Sequence, residues 1–209
     1  MLPSFESLII VTLAGCLLAV TPGPSMFYVL SRSMSQNTRA GLASSAGLAV
    51  GGICHALAAA FGLASIIAIN HHLFLLVQIF GVTYLAYLGF SCFKSSAQSH
   101  RLIIEKQKDC GYQKIFWQGV LVEISNPKTI LFFVAFIPSL LSDSSDITTS
   151  QLLILGMLIP ITALPSDLFV SLAGGKLAQK LKCNLWITNG LNKLSGIILI
   201  GLAIRLLID

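Results

Sequence analysis

Residues 21–24 read Thr21-Pro22-Gly23-Pro24, and residues 126–128 read Asn126-Pro127-Lys128. Each motif interrupts a long apolar stretch, and the two stand at corresponding places in the two halves of the chain. A proline lacks an amide hydrogen and clashes with the preceding helical turn, so both motifs predict a broken helix. In hydrocarbon, a helix interior gives up backbone hydrogen bonds only where something else satisfies the freed groups. Paired interruptions in two matching halves point to a polar site built inside a membrane protein.

The surrounding composition agrees. Of 209 residues, 55% are hydrophobic and 10% are charged. A soluble domain carries roughly 25% charged residues. Six apolar segments emerge at about 8–30, 41–69, 73–93, 114–141, 150–174 and 188–208, each close to the roughly 20 residues that span hydrocarbon. The first is expected to be a retained helix rather than a cleaved leader: Glu6 precedes it, and Arg32 and Arg39 follow it, the reverse of a signal peptide's polarity. The expected fold is an all-α integral membrane protein of six transmembrane helices. It is one domain over 1–209, with halves at about 1–93 and 114–209 joined by a linker at 94–113.

Charge distribution orients the spans. Loops 31–40, 94–113 and 175–187 hold Arg32, Arg39, Lys94, Arg101, Lys106, Lys108, Lys176, Lys180 and Lys182. The opposite side carries Glu6, Asp143, Asp146 and Asp209. The positive-inside rule puts the basic loops in the cytoplasm and both termini outside. Three spans per half is an odd number, so the second half is inverted relative to the first, with the first and fourth helices broken. The net charge of +5 lies between apolar segments, which reads as topology and excludes a nucleic-acid face. The five cysteines show no metal-ligand spacing, so no metal or cofactor is expected. No phosphate-binding loop G-x-x-x-x-G-K-[ST] occurs, so uphill work would draw on an ion gradient or a partner chain.

Few residues in the spans can carry chemistry. At the first break, Thr21, Pro22, Gly23 and Pro24 would offer freed carbonyls and the amides of a new half-helix to a polar ligand. At the second, Asn126, Pro127 and Lys128 add an amide and a cation. A buried ammonium there costs roughly 2.5–3.5 kcal/mol unless paired, and Glu123 or Asp167 is its candidate partner. His55 lies in a small-residue helix after Gly47, Gly51 and Gly52, and such residues let helices approach closely. His55 and Asp167 are the lone ionisable groups of the second and fifth spans, hence candidates for proton coupling. Ser25 with His55 could instead form a nucleophilic dyad, making an intramembrane enzyme the rival reading; an accessory scaffold subunit is a third.

In order along the chain, Thr21-Pro22-Gly23-Pro24, Arg39-Ala40-Gly41, Gly47, Gly51-Gly52 with His55, Tyr84-Leu85-Ala86-Tyr87-Leu88-Gly89, Phe116-x-x-Gly119, Asn126-Pro127-Lys128, Phe132-Phe133 and Pro138 resemble the motifs of the LysE/RhtB family. The resemblance runs from about residue 10 to 205. It implies a six-helix exporter of the inner membrane, often a homodimer, that moves amino acids or close derivatives out of the cytoplasm by proton antiport. Basic-amino-acid exporters of that family carry an acidic residue in the second helix. His55 stands near that place here, which implies a neutral substrate of the homoserine, threonine or leucine kind.

Overall fold

A computed structural model describes residues 2–21, 23–69, 110–139 and 148–183, together with single positions between 76 and 90 and between 190 and 204. The continuous stretches form six α-helices: α1 (Phe5–Val20), α2 (Pro24–Ser35), α3 (Thr38–Ile69), α4 (Tyr112–Ile124), α5 (Pro127–Ser139) and α6 (Thr149–Cys183). The single positions are helical as well, and no strand occurs among the described residues. Pro22, most of spans 73–93 and 188–208, and residues 94–109 of linker 94–113 lie outside the described residues. The arrangement of two inverted three-helix halves therefore stays an expectation.

Helix starts follow local chemistry. Ser4 caps α1 through its Oγ, which accepts from Ser7 N at 3.1 Å, with Glu6 in the first turn. Asn37 Oδ1 accepts from Ala40 N at 3.0 Å at the start of α3. At α6, Gln151 Oε1 reaches back to Thr148 N at 3.1 Å, the return contact of a capping box. The two broken spans start their second halves alike, with Pro24 and Pro127 as the first residues of α2 and α5. A proline is favoured there because its missing amide hydrogen would have no helical partner anyway. The first expected span, 8–30, falls on α1 and α2, which are bent by 49° to one another, and the described part of the fourth, 114–141, falls on α4 and α5. α3 and α6 each contain a stretch long and apolar enough to cross a membrane, Thr38–Gly62 and Thr149–Gly174. α6 runs through Pro160 and Pro165 without ending.

One expectation is corrected. Arg32 was assigned to a cytoplasmic loop, but α2 extends to Ser35 and buries it. Its Nη2 donates to Gln118 Oε1 on α4 at 2.7 Å, and its guanidinium lies 5.6 Å from the Tyr28 ring centroid. Being in the last turn of α2, the cation also faces the negative end of that helix. Tyr28 Oη adds a bond to the Ile115 carbonyl at 2.9 Å, a second polar tie between α2 and α4 at this end.

α3 is the central helix, packed chiefly on α6 and α4. Its glycines make that contact possible: a β-carbon on Gly47 would collide with the Phe116 carbonyl, and one on Gly51 would lie 2.6 Å from Glu123 Cβ. Gly119 returns the contact from α4, where a β-carbon would come within 2.8 Å of the Ser44 carbonyl. Close backbone approach replaces the hydrophobic drive that lipid cannot supply. Two apolar clusters result. One joins Val11, Ala14, Ala56, Ala60, Phe132, Phe136, Leu152 and Ile159 from α1, α3, α5 and α6. The other joins Val29, Leu30, Leu48 and Val170 from α2, α3 and α6. Leu13, Phe61, Leu121, Phe169 and Leu172 point outward, as lipid-facing side chains do.

Candidate functional site

The end of α1 leaves carbonyls without helical amides, and those of Leu17, Leu18, Ala19 and Thr21 have found donors. Leu17 O accepts from Thr21 N at 3.1 Å and Thr21 Oγ1 at 2.7 Å. Leu18 O and Thr21 O both accept from Lys128 Nζ, each at 2.7 Å. Ala19 O accepts from Ser166 Oγ of α6 at 3.2 Å. The second break supplies the cation that satisfies the first, so the two interruptions are in contact.

The second break is closed in a similar way. Asn126 N returns to the Glu123 carbonyl at 3.0 Å, and Asn126 Oδ1 accepts from Lys128 N at 3.1 Å, capping α5. The Glu123 carbonyl also bonds His55 Nε2 at 2.9 Å, and the His55 ring stacks on Phe133 at 5.7 Å. The Glu123 carboxylate is buried and has three donors: Ser25 Oγ of α2, Thr129 Oγ1 of α5 at 2.8 Å, and Asn126 Nδ2 at 3.5 Å. Asn126 Nδ2 bonds Ser25 Oγ too, at 2.8 Å. Lys128 donates to the α1 carbonyls, and two hydroxyls and an amide hold Glu123.

A cavity of about 60 Å³ lies where the breaks meet. Thr21, Gly23, Ser25, Glu123, Asn126, Lys128, Thr129 and Asp167 form its polar wall, and Leu18, Met26, Leu48, Ile159 and Ala163 its apolar wall. Leu48 and Ile159 come from the two different apolar clusters, which places the cavity between them. Asp167 is anchored through its backbone: its carbonyl accepts from Ser171 Oγ at 2.8 Å and Ser45 Oγ at 3.2 Å. Among the described residues, no side chain donates to the Asp167 carboxylate.

Of the residues singled out from sequence, Thr21, Gly23, Asn126, Lys128 and Asp167 line the cavity. Pro24 and Pro127 act one step back, by starting α2 and α5. Pro22 lies outside the described residues. His55 does not line the cavity; it braces the end of α4 from behind. Gly23 is extended (φ −157°), and a β-carbon there would meet Lys128 Cδ at an ordinary 3.4 Å. Neither backbone nor packing demands that glycine. Sequence reasoning gave Ser25 and Glu123 other roles and passed over Thr129. Glu123 carried a usable signal, being an ionisable residue inside an apolar span; Thr129 carried none.

The chain is 28% identical over 198 residues to the membrane protein YrhP of Bacillus subtilis (strain 168), covering 91% of this chain and 93% of that protein. It is 27% identical over 190 residues to a protein named leucine efflux protein from Salmonella typhimurium, covering 90% and 89% respectively, and equally to its counterpart in Salmonella typhi. No solved structure matches. The profile of the LysE type translocators matches residues 16–209, and the chain belongs to that family of membrane transporters.

Proposed function

We propose that this protein exports a neutral amino acid, or a close derivative, from the cytoplasm by proton antiport, alternating the access of the cavity between the two membrane faces. The observation that carries the reading is the cavity itself. Two broken helices meet there, every described carbonyl at the end of α1 from Leu17 to Ala19 has a donor, and one carboxylate is left over. Thr21, Gly23, Asn126 and Lys128 form the substrate wall, with Pro24 and Pro127 fixing the half-helices. Asp167 carries the coupling proton, and His55 holds the second break in shape. The apolar wall of Leu18, Met26, Leu48 and Ile159 suits an aliphatic side chain. The leucine-efflux name of the Salmonella relatives favours the same class.

The protein works in the inner membrane, as a homodimer with both termini outside. An enzyme is disfavoured because Ser25 bonds Glu123 and Asn126 rather than His55, so no serine–histidine dyad is assembled. The test is uptake of labelled amino acids into inverted vesicles, with and without a proton gradient. Gradient-driven uptake of a neutral amino acid is the expected result. Membrane-inserted protein that moves no amino acid would overturn the reading.

A further inference from the structure

Three charged side chains face the cavity: Glu123 from α4, Lys128 from α5 and Asp167 from α6. The walls supplied by α1, α2 and α3 add only uncharged groups, among them Thr21, Ser25 and Gly52. His55 of α3 stays behind the Glu123 carbonyl. Two of the three charges are committed. Lys128 is held by two carbonyls at 2.7 Å, and the Glu123 carboxylate by two hydroxyls and an amide. Their formal charges cancel. Asp167 is the one carboxylate of the cavity with no donor among the described residues, and its backbone is pinned by Ser45 and Ser171. An ionised carboxylate in that setting needs a cation or a proton.

We infer that the substrate's ammonium group and the coupling proton occupy the same place, the Asp167 carboxylate, and exclude one another there. This rests on the exporter reading above and adds the group that is recognised and the stoichiometry. Binding is written Asp167–COOH plus zwitterion giving Asp167–COO⁻ beside the substrate's –NH3⁺, plus one H⁺ released to water. The O–H bond breaks, its electron pair stays on the carboxylate, and a charge-assisted hydrogen bond to the ammonium takes its place. Release on the far side reverses the exchange, so one proton enters for each amino acid that leaves. Either occupant brings one compensating positive group to the carboxylate. An empty ionised carboxylate is the costly state, which discourages passage without exchange. Ligands that bind one site exclusively can only be coupled in this reciprocal way.

The experiment uses the full-length protein in detergent and in vesicles. The ligands are L-leucine, or whichever neutral amino acid the vesicles carry fastest, and its 2-hydroxy-acid twin, which lacks the ammonium. In weak buffer, wild type should release about one proton per bound amino acid where the carboxyl is protonated. Apparent affinity should weaken about tenfold per pH unit on lowering the pH through that range. The 2-hydroxy acid should release none. Asp167→Asn should abolish proton release and the preference for the amine, and Asp167→Glu should restore both.

The wild-type pH dependence and the 2-hydroxy acid stand without any variant, should Asp167→Asn fail to fold. Transport by wild type with pH-independent affinity and no proton release would overturn the inference while leaving the exporter standing. So would undiminished release from Asp167→Asn. Failure of every amino acid in the panel to move would overturn the exporter reading and this inference with it.

Discussion

Lys128 Nζ donates to the Thr21 carbonyl at 2.7 Å, linking residues 107 positions apart in sequence. The same ammonium reaches the Leu18 carbonyl at 2.7 Å. A side chain from the start of one half-helix thereby completes the end of another, with its positive charge at the negative pole of α1. Together with the Ser25–Asn126 bond, this contact joins the two breaks, and the cavity forms beside it.

Lys128→Met should strand two acceptors inside the protein, a loss of about 1–3 kcal/mol for each group left unsatisfied. Lys128→Arg keeps the charge and the donors in a different shape, so it should retain part of the stability. Thermal unfolding of the detergent-solubilised protein checks the order wild type, then Arg, then Met. Equal melting of Met and wild type would mean that the ammonium does not hold the first break.

His55→Gln retains a donor near the Glu123 carbonyl, whereas His55→Ala removes it. With His55 as a brace, the Gln variant should export with the wild-type pH profile. The Ala variant should lose about 1–3 kcal/mol of stability. A pH profile flattened by Gln would transfer proton coupling from Asp167 to His55.

Gly23→Ala separates function from folding. The extended backbone accepts alanine, and the added carbon meets Lys128 Cδ at a normal distance. Stability should change by no more than about 0.5 kcal/mol, as at sites free of strain. The new methyl narrows the cavity wall, so export should fall several-fold. Unchanged export with normal insertion would remove Gly23 from the substrate wall.

Gly47→Val tests the contact between α3 and α4. Its side chain would drive into the Phe116 carbonyl, and overpacking of this kind costs about 1–3 kcal/mol or more. The amount of folded protein in membranes should drop sharply. Gly62→Ala is the contrast, since a β-carbon there meets nothing within 4 Å, and its yield should match wild type.

Ser25→Ala removes a hydroxyl that donates to Glu123 and accepts from Asn126. The variant should lose roughly 1–2 kcal/mol and still export. Complete loss of activity in a stable, inserted variant would revive a nucleophilic role for the serine.

The breaks were legible in sequence because their cause is local. Pro24 and Pro127 have no amide hydrogen, which suits each to the first position of a helix and interrupts the helix before it. The apolar lengths that make α3 and α6 capable of spanning, and the glycines that let α3 approach α4, are likewise carried by single residues and their spacing. The partners were not legible. Ser25 and Glu123 are 98 positions apart, and Leu18 and Lys128 are 110 apart. No spacing rule tells a lysine whether a carboxylate or a carbonyl will face it. Sequence alone left both Glu123 and Asp167 as possible partners of Lys128. Only the packing of α1, α2, α4, α5 and α6 gave the lysine to the end of α1, surrounded Glu123 with hydroxyls, and left the Asp167 carboxylate facing the cavity. Which buried charge is spoken for depends on donors brought in from other helices, and that is settled by tertiary contact.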